Sequence, residues 1–287
     1  MDRRVDLAAS PSLPGQSPVR LYCRDIGEGA PLLVLHGGWG YEAYPFDRQI
    51  AVLAASRRIV IPDRSGYGRS GRLPALQTDF HQRAAGEMLA LIDALDLERP
   101  IVWGHSDGAV IALLMGLLAP ERVKGLIAES THFFRNKPSS RRFFKTMRDC
   151  PEELGGRIAG VLAHEHGDDW RHVIAMNAAA WLRLAELGGD LYEGRLSELR
   201  VPALVLHGDN DPRTEPGELN VLRNALLAAN RAAFAGQDFS PAVHILSFPG
   251  GGHSPHTAPE TADAVTRAAV EFVAALGLDP GIPSGRQ

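Results

Sequence analysis

Short runs of apolar residues alternate along this chain with longer stretches in which apolar side chains recur at helical spacing. Such short runs are typical of parallel strands buried on both faces, and their alternation with helices predicts a parallel sheet covered on both sides. We predict strands over residues 32–35, 58–61, 101–103, 126–128, 203–206 and 244–248. We predict helices near residues 42–55, 80–96, 107–118, 217–229 and 257–275. The predicted fold class is therefore α/β, with a mostly parallel, doubly wound sheet.

One long segment interrupts this alternation. Residues 131–197 have helical composition and several aromatic side chains but no convincing strand. We therefore predict that they form a helical cap inserted into a core made of residues 19–130 and 198–276. Residues 1–18, which are rich in Ser and Pro, are predicted to form a flexible N-terminal arm, and residues 277–287 a C-terminal tail.

The composition argues against several classes of function. A hydrophobic fraction of 45% in 287 residues suffices for one substantial core, and a formal net charge of −4 with both signs scattered disfavours nucleic acid and anionic membranes as partners. The two cysteines, Cys23 and Cys150, are too few for a disulfide framework or a zinc site and are expected to be free thiols. We find no apolar run with the length of a membrane-spanning helix or a signal-peptide core. We therefore expect a cytoplasmic protein that acts on a small molecule.

The strongest chemical signal is the sequence Gly-His-Ser-Asp-Gly at residues 104–108, between a predicted strand and a predicted helix. This G-x-S-x-G pattern places Ser106 on a tight turn, where flanking glycines avoid the clash of a Cβ and leave the hydroxyl exposed above the sheet. Ser106 also lies at a helix N-terminus, where free N–H groups favour a developing oxyanion. We therefore predict that Ser106 is a nucleophile.

With this motif in its strand-turn-helix context, the chain resembles the α/β-hydrolase superfamily from Val19 to about Leu276. Residues 35–40, which read Leu-His-Gly-Gly-Trp-Gly, are similar to the loop that follows the third strand in that family. The resemblance implies that the backbone N–H groups of Gly38 and Asp107 form an oxyanion hole.

A serine hydroxyl needs a histidine to accept its proton, and a buried carboxylate must orient that histidine. A G-x-x-D turn follows the predicted strand at residues 203–206 and resembles the acid loop of the family, which implies Asp211 as the acid. Asp209 is the neighbouring alternative. Glu129 is a second choice, because some superfamily members carry the acid after the strand that it ends.

A glycine-rich loop presents the candidate base. The loop follows the last predicted strand, and its resemblance to the family pattern G-H-x-P-H implies His253 as the base, with His256 as the alternative. The order Ser106, Asp211, His253 is also the order expected of this fold.

The type of nucleophile narrows the range of reactions that the protein is expected to catalyse. Superfamily members that open carbon–halogen bonds or epoxides generally carry aspartate at this turn, so Ser106 favours acyl transfer to water through an acyl-enzyme, without a metal or an organic cofactor. The preferred prediction is a serine hydrolase that cleaves a carboxylic ester of a small molecule. Proline-type aminopeptidases, lactonases, thioesterases and carbon–carbon bond hydrolases are alternatives, and a small-molecule receptor on the same fold is the non-enzymatic one.

Asp107 departs from the commonest form of the turn, which has an uncharged residue there. A carboxylate beside an oxyanion hole repels the charge that forms in it, so another group should compensate. The Ser-Asp-Gly sequence is similar to that of valacyclovir hydrolase and its biphenyl-hydrolase-like relatives, which act on amino-acid esters. The resemblance implies that Asp107, aided by Glu129, binds an α-amino group of the substrate. The alternative is that Asp107 points to solvent and favours the helix N-terminus.

The remaining candidate substrate-binding residues are aromatic. Trp39, in the loop after the third strand, and Phe133, Phe134 and Trp181, in the predicted cap, are expected to line an apolar pocket, although a helical cap also needs aromatic residues to pack. The His-Glu-His run at residues 164–166 lacks the spacing of a metal site, so no metal is predicted.

Overall fold

Eight strands form one sheet at the centre of the protein. The computed structural model describes residues 1–233 and 243–277. The strands are β1 (Asp2–Leu7), β2 (Val19–Ile26), β3 (Ala30–Leu35), β4 (Arg57–Pro62), β5 (Ile101–His105), β6 (Gly125–Glu129), β7 (Ala203–Gly208) and β8 (His244–Phe248). Their order is β1-β2-β4-β3-β5-β6-β7-β8; β2 pairs antiparallel with β1 and β4, and the other pairs are parallel. The predicted mostly parallel sheet is therefore confirmed.

Helices cover both faces of this sheet. They are α1 (Asp47–Leu53), α2 (Phe80–Ala94), α3 (Asp107–Leu118), α4 (Arg141–Asp149), α5 (Gly156–His166), α6 (Trp170–Leu187), α7 (Glu218–Ala233) and α8 (Ala262–Gly277). Along β3, Leu33 and Leu35 belong to the core that includes α2 and α3, whereas Leu32 and Val34 belong to the core that includes α1 and α8. Because both faces are buried, the central strands have continuous apolar sequences.

The first residues of the chain differ from their prediction. Residues 1–18 are predicted to be a flexible arm, but Asp2–Leu7 forms β1 and pairs with β2 along its whole length. Val5 is buried, while the exposed Asp6 lies opposite Arg20 of β2 and accepts hydrogen bonds from it. The predicted arm is therefore wrong for these residues. An edge strand with one solvent-facing side lacks the continuous apolar run that marks the central strands.

Helices α4, α5 and α6 lie between β6 and β7, within the residues predicted to form the cap. The side chains of Asn177 and Trp181 on α6 donate hydrogen bonds to Asp107, the first residue of α3. Because α3 follows β5 at the carboxyl edge of the sheet, the inserted helices lie over that edge, where α/β folds place their functional sites.

The end of the chain is only partly described. The predicted C-terminal tail begins at Gly277, which is the last residue of α8, and residues 278–287 lie outside the described residues. Among the helices that the structure describes, none has both the length and the apolar character needed to cross a bilayer.

Candidate active site

A strained turn joins β5 to α3 and presents Ser106. The backbone of Ser106 has φ 55° and ψ −119°, a conformation that residues other than glycine rarely adopt. A Cβ on Gly104 would lie 2.0 Å from the carbonyl oxygen of Gly108, and a Cβ on Gly108 would lie 2.2 Å from that of Leu35. The two glycines of the motif are therefore a steric requirement of the turn.

The turn brings Ser106 to two side chains that are remote in sequence. The Oγ of Ser106 lies 3.0 Å from Nε2 of His253, in the loop after β8. The Nδ1 of His253 lies 3.0 Å and 2.9 Å from the two carboxylate oxygens of Asp211, in the turn after β7. These distances are within hydrogen-bond reach. The arrangement can pass a proton from the hydroxyl to the imidazole and stabilise the imidazolium that forms.

The surroundings of Asp211 keep its carboxylate ionised. Burial acts to raise the pKa of Asp211, but the charge and hydrogen bond of His253 and the backbone amide of Arg213 outweigh it and lower the pKa to about 2. Asp209, the neighbouring candidate acid, is exposed and accepts a hydrogen bond from the amide of Gly250 at 2.6 Å. Of these two acids, Asp211 is the one that contacts the histidine.

Glu129, the second-choice acid, and His256, the second-choice base, contact each other inside the core. A carboxylate oxygen of Glu129 lies 2.7 Å from Nδ1 of His256 and accepts its backbone amide at 3.0 Å. The second oxygen accepts the indole N–H of Trp103 at 3.3 Å. In the described part of the chain, Glu129 does not line the cavity beside Ser106. The prediction that Glu129 binds substrate is therefore wrong, because its carboxylate is used inside the core.

Gly38 and Asp107, the two residues predicted to form the oxyanion hole, line the same cavity as Ser106. Asp107 is the first residue of α3, so its amide has no partner within the helix. Gly38 follows β3, and a Cβ there would lie 2.6 Å from Oδ1 of Asn177. Both residues line the cavity, and among the described residues neither amide has a hydrogen-bond acceptor. Both amides are thus available to an oxyanion.

The carboxylate of Asp107 points into the protein. It is 1% exposed and accepts hydrogen bonds from His81 at 3.1 Å, from Asn177 at 2.7 Å and from Trp181 at 3.0 Å. Burial acts to raise the pKa of Asp107, but the hydrogen bond and charge of His81, the charge of Arg64 and the hydrogen bond from Asn177 lower it to about 2. The interpretation that Asp107 points to solvent is therefore wrong. Side chains of the protein itself therefore stabilise the negative charge of Asp107.

A cavity of about 180 Å³ opens beside Ser106. Its aromatic lining consists of Trp39, Tyr44, Phe143, Phe144 and Trp181. Phe144 stacks on Trp181 and Phe143 on Trp39, with ring centroids 5.5 Å and 5.8 Å apart. Two of the aromatic residues predicted to bind substrate, Trp39 and Trp181, therefore lie in the wall of this cavity.

The other two predicted aromatic residues, Phe133 and Phe134, lie elsewhere. Their backbone amides donate to the carboxylate of Glu218 at 2.7 Å and 2.9 Å, and Phe133 packs against Tyr192. Both residues border a separate surface depression. The prediction that they bind substrate is wrong, because the hydrogen bonds to Glu218 fix this stretch beside the start of α7 and not over Ser106.

His132 is a cavity residue that no sequence motif marks. Its Nε2 lies 3.5 Å from the Oγ of Ser106, and its ring is nearly parallel to that of His253, with centroids 5.5 Å apart. Burial lowers the pKa of His132 well below its ordinary value. A neutral second imidazole therefore faces the hydroxyl beside the predicted base.

The His-Glu-His run at residues 164–166 connects the inserted helices to the core. The carboxylate of Glu165 accepts the backbone amide of Tyr41 at 2.6 Å, and Nδ1 of His166 accepts that of Gly68 at 2.9 Å. Within residues 1–233 and 243–277, no group of three or more metal-ligating side chains is found. These contacts tie α5 to the loops after β3 and β4.

Part of this chain is similar in sequence to proteins of known name. A family model described as alpha/beta hydrolase fold matches residues 30–167. Over 114 residues the chain is 36% identical to epoxide hydrolase A of Mycobacterium tuberculosis, in an alignment covering 39% of this chain and 35% of that protein. It is also 28% identical to 2-hydroxy-6-oxononadienedioate/2-hydroxy-6-oxononatrienedioate hydrolase 2 of Pseudomonas putida, covering 69% of this chain and 77% of that one. The chain spans less than two fifths of the length of the epoxide hydrolases that it matches.

Solved structures resemble nearly the whole chain. A thermophilic esterase from Thermogutta terrifontis aligns with a TM-score of 0.69 at 22% identity, covering 96% of this chain and 100% of that one. The enol-lactonase from Burkholderia xenovorans LB400 aligns with a TM-score of 0.65 at 20% identity, covering 89% and 97%. At such low identity the likeness supports the fold and does not specify a substrate.

Proposed function

Because this chain belongs to the α/β-hydrolase superfamily, we propose that it is a serine hydrolase that cleaves a carboxylic ester of a small molecule. The observation that carries the proposal is the 3.0 Å contact between Oγ of Ser106 and Nε2 of His253, which Asp211 continues on the other side of the ring. A hydroxyl that can pass its proton to an oriented imidazole is a nucleophile suited to an acyl carbon.

In the proposed reaction, Ser106 attacks the carbonyl carbon of the ester while its proton passes to Nε2 of His253. The amides of Gly38 and Asp107 stabilise the negative charge that forms on the carbonyl oxygen. The bond to the alcohol oxygen then breaks, and the alcohol leaves with the proton from His253, so that the acyl group remains on Ser106. Water attacks the acyl carbon of this intermediate while His253 takes its proton. The bond between that carbon and Oγ of Ser106 then breaks, His253 returns the proton to Oγ, and the carboxylic acid is released.

The nucleophile favours an ester even though several relatives are named epoxide hydrolases. Attack of a serine oxygen on an epoxide carbon would form an ether, which water does not cleave. Attack on an ester forms an acyl-enzyme, which water does cleave. With Ser106 at the turn, turnover requires the acyl substrate.

A preference for an α-amino group in the substrate is the finer part of the proposal. Asp107 is one of the residues that line the cavity, and its buried, ionised carboxylate places a negative charge close to the wall that an ammonium would approach. Its oxygens already accept hydrogen bonds from His81, Asn177 and Trp181, so an ammonium would compete with these donors. The comparison of an aminoacyl ester with its des-amino analogue tests the preference, and equal turnover would end this part of the proposal.

Pre-steady-state hydrolysis of 4-nitrophenyl butyrate tests the proposed reaction. The native protein is expected to release a burst of nitrophenol as the acyl-enzyme forms. Ser106→Ala is expected to lose at least about 1,000-fold in kcat, because the nucleophile is absent. The matched control Ser12→Ala removes a hydroxyl outside the cavity and should keep native turnover. Retained turnover in Ser106→Ala would refute the proposal.

A carbon–carbon bond hydrolase is the second candidate function. It is favoured by the Pseudomonas putida relative, because that alignment covers 77% of a protein named for hydrolysis of 2-hydroxy-6-oxononadienedioate. Measurement of kcat/KM for 2-hydroxy-6-oxononadienedioate and for 4-nitrophenyl butyrate separates the two candidates. A higher value for the ester supports the first proposal, and a higher value for the dienedioate supports the second.

A further inference from the structure

Arg213 places a guanidinium in the wall of the cavity beside Ser106. The residue follows Asp211 by two positions and is half-buried. Its guanidinium lies over the ring of Phe143, 3.2 Å from the ring centroid. Among the residues that the structure describes, this guanidinium has no ion-pair partner and no hydrogen-bond acceptor. Within the described part of the chain, the positively charged side chain in this wall therefore has no anionic partner.

The surroundings of Arg213 differ from those of another arginine that stacks on an aromatic ring. Arg171 lies over Trp170 at 4.5 Å, is 55% exposed at its side chain, and binds the carboxylate of Glu152 at 2.6 Å. Arg213 is more buried, and burial acts to lower its pKa. A charge that loses hydration without gaining a partner raises the free energy of the site, and an anionic ligand would lower it.

The ionisable groups nearest to Arg213 do not neutralise it. The carboxylate of Asp211 is already bound to His253 on both oxygens and to the backbone amide of Arg213 on one. Burial raises the pKa of Tyr44, so its phenol is uncharged at neutral pH. The positive charge of Arg213 therefore remains available to a ligand.

The backbone at Arg213 is fixed from both sides. Its amide donates to Oδ1 of Asp211 at 2.8 Å, and its carbonyl accepts Nζ of Lys137 at 3.1 Å. Lys137 in turn forms a buried ion pair with Glu218. The turn that holds the acid therefore also holds the guanidinium, which reduces the entropy lost when a ligand binds.

An aromatic wall separates the two charges of the cavity. Trp181 donates to Asp107 at one end and stacks on Phe144, which contacts Phe143, and Arg213 lies over Phe143 at the other end. An anionic group of a ligand is therefore favoured at the end of the cavity that is remote from the carboxylate of Asp107.

We propose that Arg213 binds a carboxylate carried by the substrate, so that the preferred substrates are esters with a free carboxylate. This inference rests on the proposed function, because it names the substrate class of the same site. The planar guanidinium matches the geometry of a carboxylate and can donate two parallel hydrogen bonds to it.

Two matched pairs of esters test the inference and locate the carboxylate. In the first pair the carboxylate is on the acyl chain, with mono-4-nitrophenyl glutarate against 4-nitrophenyl butyrate. In the second pair it is on the alcohol, with 3-(butyryloxy)benzoate against phenyl butyrate. The native protein is expected to favour the charged member of one pair by about 10- to 100-fold in kcat/KM, the value of a charge-assisted hydrogen bond.

The variants assign this preference to Arg213. Arg213→Gln is expected to lower kcat/KM for the charged ester about 10- to 100-fold more than for its neutral partner, and Arg213→Lys should recover part of this difference. Arg171→Gln, the matched control, should keep the native preference. The inference is overturned if the native protein hydrolyses the charged and neutral members of both pairs equally well, or if Arg213→Gln lowers the values for charged and neutral esters equally, as a purely structural residue would.

Binding to the Ser106→Ala variant gives an answer that does not require turnover. By calorimetry, mono-4-nitrophenyl glutarate or 3-(butyryloxy)benzoate is expected to bind at least about tenfold more tightly than its neutral analogue, and a second substitution, Arg213→Gln, should remove the difference. If the native protein hydrolyses none of the esters but this difference is present, the proposed function fails and the carboxylate site stands. If the charged and neutral members of both pairs bind with equal affinity, the proposed carboxylate site is overturned, whatever the rate of turnover.

Discussion

Replacement of Asp107 by asparagine removes a negative charge from the buried turn beside Ser106, and we expect it to destabilise the fold by about 2–3 kcal/mol. The carboxylate is 1% exposed and accepts hydrogen bonds from His81, Asn177 and Trp181. Asn177 and Trp181 are donors, and so is His81 in the tautomer that carries its proton on Nε2. An asparagine side chain offers them one oxygen, and its own NH₂ group must face another donor.

Two considerations give the same magnitude. The pKa of Asp107 is lowered from 3.8 to about 2. Folding therefore favours the ionised carboxylate by about 2 kcal/mol, which asparagine cannot supply. Counted instead as one buried donor left without an acceptor, the same loss is about 1–3 kcal/mol. Because a domain of this kind is stable by roughly 5–15 kcal/mol, Asp107→Asn should still fold, with a smaller free energy of unfolding.

Urea unfolding near pH 7 measures this loss directly. The control is Asp79→Asn, because Asp79 is 50% exposed and pairs with Arg83 on the surface, so its loss should change the free energy of unfolding by at most about 0.5 kcal/mol. A loss below about 1 kcal/mol for Asp107→Asn would refute the reasoning, because three donors that hold a buried carboxylate must contribute more than that.

Two further predictions concern the turn and the acid. Gly104→Ala is expected to cost more than about 3 kcal/mol or to prevent folding, because its Cβ would lie 2.0 Å from the carbonyl oxygen of Gly108, whereas Gly160→Ala has open space and should be neutral or stabilising in urea unfolding. Asp211 has a folded-state pKa of about 2, below 3.8, so the stability it contributes is present above about pH 4 and lost as the pH falls through this window. Between pH 5 and pH 2.5, Asp211→Asn should lose about 2 kcal/mol less than the native protein, and equal losses would contradict the assignment.

The fold could be predicted where burial is two-sided. The strands near Leu33, Val102 and Leu204 have continuous apolar runs because helices cover both faces of the sheet there. The edge strand Asp2–Leu7 could not be predicted in this way, because four of its six residues are exposed and its pairing with Val19–Ile26 is a property of the folded chain.

The site could be predicted where a motif ends a strand. Ser106, Asp211 and His253 each follow a strand at the same edge of the sheet, so a parallel topology is enough to bring them together. His132 and Arg213 carry no motif; they follow β6 and β7, and the sequence does not show that their side chains meet in the cavity beside Ser106. Sequence alone does not report such contacts between distant residues.

The central claim is that Ser106 is the activated nucleophile, and reaction with a fluorophosphonate tests it most directly. Mass spectrometry of the digested product is expected to locate one phosphonyl group on the peptide that contains Ser106, and Ser106→Ala should remain unlabelled. An adduct on another residue, or equal labelling of Ser106→Ala, would contradict the account.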